Sequence, residues 1–257
     1  MRRVRRIGLF SCCVLALLAA LAPGARPRAV DFLVPGVPLE SVSLAPGARV
    51  SYLVITSSFG AVDSSYVELR VLDRAKGEVR LEVVSSPYPR KAAESITVRL
   101  RLLDRVGAIS SPAEFAPCLR EMLIREGTGK FRPATQKERD EFDAEALFLP
   151  ADGDAERAEL GTASITVPAG VFRCAGVRIS KRTSRTLDLG GIRTERIEEE
   201  TSTVRVSPLV PFWGLVTATV EKRSITKSSA ARQGSSAPRV TTTESILLSY
   251  QKPRGRS

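Results

Sequence analysis

Histidine is absent from all 257 residues, so the side chain that most often moves protons near neutral pH is missing. That removes Ser-His-Asp and Cys-His nucleophile pairs, along with the histidine-containing zinc and iron sites. Cys118 and Cys174 lie too far apart in sequence for a C-x-x-C redox centre. Asp152-Gly153-Asp154 begins like a calcium loop, but the liganding spacing beyond Asp154 is missing and a charged turn is the simpler reading. Gly127-Thr128-Gly129-Lys130 has the flavour of a phosphate loop without its spacing or its following Ser/Thr. Glu198-Glu199-Glu200 supplies carboxylates, yet three like charges on a polar strand edge or loop are simply solvated. No catalytic residue, metal ligand or cofactor is assigned. The expectation is a noncatalytic protein, with an enzyme of unknown class as the remote alternative.

The feature that asks for an explanation is apolar. Val210, Phe212, Trp213, Leu215 and Val216 crowd around Pro208 and Pro211, and Trp213 is the only tryptophan. One reading is a plug, a loop folded back onto the sheet core. The other is a hydrophobic mouth in which Phe212, Trp213 and Leu215 contact a lipid or other apolar small molecule. Both use the same residues.

The chain opens with Arg2, Arg3, Arg5 and Arg6 and runs into Ile7–Ala22, an apolar stretch without a charge. This is the layout of a secretory signal, predicted to span residues 1–29 with cleavage between 23 and 30. A spanning helix needs roughly 20 apolar residues, which disfavours an uncleaved anchor. Leu9-Phe10-Ser11-Cys12 looks like a lipoprotein box, but the apolar core before it is too short to insert. The expected location is therefore the periplasm or the extracellular space. Export removes Cys12 and Cys13 and leaves Cys118 and Cys174 in an oxidising compartment, where a Cys118–Cys174 disulfide is expected. Two buried free thiols are the competing reading.

The formal charge is +11, but it sits at the ends. From Val30 to Ala218 the balance is close to neutral, and the excess lies in the first 29 residues and after Thr219. A nucleic-acid binder concentrates basic residues on its fold, so nucleic acid is not expected as a partner.

Strands dominate the remainder. Arg49–Ile55, Tyr66–Leu72, Val79–Val83 and Ile96–Leu102 alternate apolar and polar residues, and the second and third read as a hairpin with one wet face. Ala163–Val167, Val171–Ser180, Ile192–Val206, Leu215–Ile225 and Val240–Tyr250 continue the pattern. One firm helix is predicted after the cap Ser111-Pro112-Ala113-Glu114, with Phe115, Cys118, Leu119, Met122 and Leu123 at helical spacing and Gly127 as the stop. A short surface helix is also open over Gln136–Leu147. The expected architecture is one mainly β domain over 30–250, followed by a basic disordered tail over 251–257. Its sheet is strongly curved and antiparallel, or an incomplete β-barrel, with one helix packed against it.

Thr166-Val167-Pro168-Ala169-Gly170-Val171-Phe172-Arg173-Cys174, then Val206-Ser207-Pro208-Leu209-Val210-Pro211-Phe212-Trp213-Gly214-Leu215-Val216, resembles a paired signature of bacterial envelope proteins of unknown function. These are related to the LolA-like lipoprotein-carrier half-barrels. Trp213 stands between Phe212 and Gly214 as an extra residue relative to that pattern. The resemblance implies an incomplete barrel closed by helices, no catalytic residues, and an interior that in the true carriers holds acyl chains. A self-filled structural module that meets an envelope protein partner is the rival expectation.

Overall fold

The computed structural model describes residues 44–108, 116–141, 155–189, 192–228 and 238–252. The predicted signal, the helix cap at Ser111, Asp152–Asp154 and the tail beyond 252 lie outside the described residues.

Eleven strands follow one another among the described residues: β1 Arg49–Ser58, β2 Ala61–Ala75, β3 Glu78–Pro87, β4 Ile96–Leu103, β5 Leu119–Glu126, β6 Arg132–Pro133, β7 Glu156–Val167, β8 Gly170–Leu189, β9 Ile192–Val206, β10 Leu215–Ser228 and β11 Arg239–Gln251. They form a single open antiparallel sheet in the order β6-β5-β4-β3-β2-β1-β11-β10-β9-β8-β7. Among the described residues the one long-range step in that order is the pairing of β1 with β11, which welds the two halves together. Among the described residues there is one α-helix, α1 (Gln136–Glu141), capped by Thr135, whose hydroxyl accepts from the Glu138 N–H at 3.3 Å.

Alternation builds one apolar face. Val50 pairs with Leu69, Leu69 with Val83, Val83 with Val98, and Val98 with Ile124, and a second row joins Val71, Leu81, Leu100 and Met122. All nine are buried. Each fully buried Val, Leu, Ile or Met contributes about 1.5–3 kcal/mol relative to exposure.

The sheet is not flat. β7 and β11 are four places apart in the order, about 19 Å in a flat sheet. They nevertheless approach within 8 Å between Cα atoms. Phe172 on β8 and Tyr250 on β11 meet edge to face at 5.5 Å. The β7–β8 end has rolled over the open side. Bulges at Ser51/Tyr52, Val71/Asp73 and Glu159/Thr162 supply local bends for such a roll.

Two expectations need correction. The predicted helix does not continue through Cys118–Leu123: Ala116–Cys118 is a single 3-10 turn, and β5 begins at Leu119. The apolar residues fit a helical stripe, but Met122 and Ile124 also alternate, and pairing them with Leu100 and Val98 extends the core stripe. Tertiary pairing outweighs local propensity here. The Cys118–Cys174 disulfide is absent too; neither cysteine is bridged, and both are buried. Cys118 ends the 3-10 turn ahead of β5 and Cys174 lies in β8; both pack as small apolar side chains in the core, and the Cys174 Sγ donates to the Phe172 carbonyl at 3.6 Å. Burial pushes the Cys174 thiol pKa upward.

Candidate functional site

The β9–β10 connection is a tight apolar loop. Its ends are tied by the Ser207 N–H donating to the Gly214 carbonyl at 2.8 Å, and its middle by Val210 N–H to Ser207 at 3.1 Å. Phe212 adopts φ +61°, unusual for a bulky side chain, and Gly214 takes φ +73°. This left-handed turn lets two consecutive aromatics face inward. Phe212, Trp213 and Leu215 are only 2%, 3% and 3% exposed, while Leu209 stands out at 49%. The two rings lie 6.3 Å apart at 30°.

The loop belongs to the same continuous core as Val50, Phe172, Cys174 and Val204. Tyr52 on β1 anchors its exit, its hydroxyl donating to the Leu215 carbonyl at 3.1 Å. Burial drives that phenol pKa far above its ordinary value. One polar atom is left over: the Trp213 Nε1 is buried and has no hydrogen-bond partner among the described residues. The sequence-predicted trio is therefore brought together, as an interior cluster.

A second cluster lies on the opposite face of β1–β5, which the alternation marked as wet. Glu68 there is fully buried. Its carboxylate accepts from Arg49, from the Tyr66 hydroxyl at 2.6 Å and from the Arg70 Nη2 at 2.5 Å, with Arg90 at 3.5 Å. Burial by itself would raise the Glu68 pKa, but Tyr66, Arg70 and Arg49 outweigh it and hold the carboxyl below its usual range. Glu82, next along, receives Arg99 at 2.8 Å and Arg70 at 3.5 Å. Phe131 carries the guanidiniums of Arg99 and Arg125 at 4.0 and 4.6 Å from its ring centre. Alternation placed Glu68, Arg70 and Arg99 on this face; their convergence depends on strand register and on the β3–β4 loop that delivers Arg90.

The remaining chemical candidates resolve plainly. Gly127-Thr128-Gly129-Lys130 follows strand β5, and Gly127 ties it to the Ser95 carbonyl at 2.7 Å. Glu198, Glu199 and Glu200 have cationic partners: Arg196 at 2.7 Å, Arg182 at 3.6 Å and Lys222 at 3.2 Å respectively. No metal-holding group of acidic or cysteine side chains occurs among the described residues, and no described helix is long and apolar enough to cross a membrane.

No protein-family model matches this chain, and no curated protein does. Solved structures give distant matches. A protein with a YmcC-like fold from Bacteroides fragilis is 12% identical, over 82% of this chain and 99% of that one, with TM-score 0.34. A DUF1329 family protein from Desulfovibrio piger is 9% identical, over 83% and 88%, with TM-score 0.33. A domain from Vibrio parahaemolyticus described as an outer membrane lipoprotein-sorting protein is 7% identical, over 82% and 87%, with TM-score 0.31. Likeness at this level decides neither fold nor function, which rest on the chain's own strands and side chains.

Proposed function

We propose that this chain is exported to the cell envelope and works there as a noncatalytic β scaffold that acts through its surface, its rolled sheet being filled by its own β9–β10 loop. The observation that carries this reading is the near-complete burial of Phe212, Trp213 and Leu215 within one continuous core. Export is supported by the four arginines before Ile7–Ala22. N-terminal sequencing of protein recovered from outside the cytoplasm should begin between residues 23 and 30. An intact Met1 in a soluble cytoplasmic fraction would refute export. Titration with a long-chain fatty acid should leave Trp213 fluorescence without a saturable change.

A second reading, binding of a lipid or other apolar ligand in the half-barrel, has one specific observation in its favour. A buried indole N–H without an acceptor is a place where a ligand oxygen would fit. A saturable fluorescence response in the wild type, together with calorimetric binding of the same fatty acid that W213F weakens, would establish that reading over the first.

A further inference from the structure

The arginine cluster on the polar face of β1–β5 covers the carboxylates that it neutralises. Arg49, Arg70, Arg90 and Arg99 leave 42%, 37%, 44% and 43% of their side chains exposed. The carboxylates they neutralise are hidden beneath them, Glu68 at 0% and Glu82 at 6%. Arg125, half-buried beside them, has no carboxylate partner among the described residues; its Nη2 donates to the Thr97 hydroxyl at 3.2 Å and its Nε is buried without a partner there. Five guanidiniums against two carboxylates leave a surplus of three positive charges over the centre of the cluster. The charged rows on β8–β10 differ: Glu195, Glu198, Glu199 and Glu200 are 39%, 48%, 34% and 30% exposed, so solvent meets both signs there.

These guanidiniums are also held in place. Phe131 carries Arg99 and Arg125, Tyr66 lies under Arg90 at 5.3 Å, and Glu82 fixes Arg70 and Arg99 from below. Guanidiniums fixed by stacking present planar donor edges that match phosphate oxygens, and ordering them beforehand reduces the entropy lost on binding.

We propose that Arg70, Arg99 and Arg125, with Arg49 and Arg90 flanking them, form a phosphate-binding site on the outer face of the sheet, for a phosphate ester or a phospholipid headgroup. The site is independent of what fills the interior, so its failure would leave the proposed function untouched.

The test uses the whole mature chain at low ionic strength, in two arms: calorimetric titration with inorganic phosphate, and co-sedimentation with phosphatidylglycerol vesicles against phosphatidylcholine vesicles. R99Q/R125Q should weaken binding in the responding arm at least about tenfold, since each lost charge-assisted bond is a large share of such an affinity. R182Q/R223Q, which removes the same charge from β8–β10, should leave binding within about twofold. R125Q alone, which breaks no ion pair, keeps the test valid if the double variant fails to fold; it should still weaken binding severalfold. Binding of phosphate alone identifies a soluble ester as the source. Binding of phosphatidylglycerol vesicles, with competition by phosphate, identifies a headgroup. No binding in either arm, or equal weakening by R182Q/R223Q, overturns the proposal.

Discussion

Trp213 offers a sharp test of the filled interior, because its two components of stability can be separated. The side chain is 3% exposed and belongs to the continuous core, so W213A should cost about 3–5 kcal/mol through lost transfer energy and the cavity left behind. W213F is different. It removes about three heavy atoms, worth roughly 2 kcal/mol of burial. It also deletes a buried donor that has no partner, relieving about 1–3 kcal/mol of desolvation. The two nearly cancel, so W213F should lie within about 1 kcal/mol of wild type. Because Trp213 is the only tryptophan, its fluorescence vanishes in both variants. Guanidinium unfolding must therefore be followed by far-ultraviolet circular dichroism. Equal losses of 3 kcal/mol or more in both variants would show that the indole N–H is bonded in solution, to water or to a ligand, and would refute the assignment of an unpaired donor. A W213A loss under about 0.5 kcal/mol would sink the plug itself.

Three further outcomes follow from the same geometry. Glu68 titrates below the ordinary carboxylate value of 4.5 when folded, so as pH falls the unfolded chain takes up its proton first. Its contribution is complete above that ordinary value and fades as pH drops through the lowered one; E68Q should flatten this acid limb in unfolding titrations, and an unchanged slope would contradict the network. Gly127 takes φ +53°, and an added Cβ would come 2.7 Å from the Ala93 carbonyl, so G127A should cost about 1–3 kcal/mol in thermal unfolding; a neutral result would mean the β5–β6 turn is misplaced. M122A should cost about 2–5 kcal/mol and exceed L119A, because Met122 is buried on β5 and Leu119 only half so; the reverse ranking would restore the helix.

Much of the scaffold was legible because antiparallel strands with one apolar face write themselves into the sequence as alternation. Tyr66–Leu72 and Val79–Val83 are readable as a hairpin, which the pairing of Ala75 with Glu78 closes at Lys76-Gly77. The segment after Ser111 reads as a helix because Cys118, Leu119, Met122 and Leu123 satisfy a period of 3.6, while Met122 and Ile124 also satisfy a period of 2. Only the exposed edge of β4, a long-range fact, chooses between them. The Cys118–Cys174 pair failed for a related reason. Export chemistry says which cysteines survive, but a bridge needs Cα atoms within about 7 Å, and sequence carries no distance.

By itself, then, the sequence determined the absence of histidine chemistry, the strand periods, the neutral body between charged ends, and the apolar character of the Phe212–Trp213 loop. Tertiary structure decided which side of the sheet that loop occupies, since an inward turn at Phe212 is a backbone conformation that no residue pattern requires. It also decided the fate of Glu68. Alternation assigned Glu68 to a wet face, where a carboxylate is ordinarily solvated, yet register and the β3–β4 loop bring Arg49, Arg70, Arg90 and Tyr66 around it. Local periodicity reports which face a side chain takes; what covers that face comes from residues distant in the chain, and those meet only when the sheet has formed.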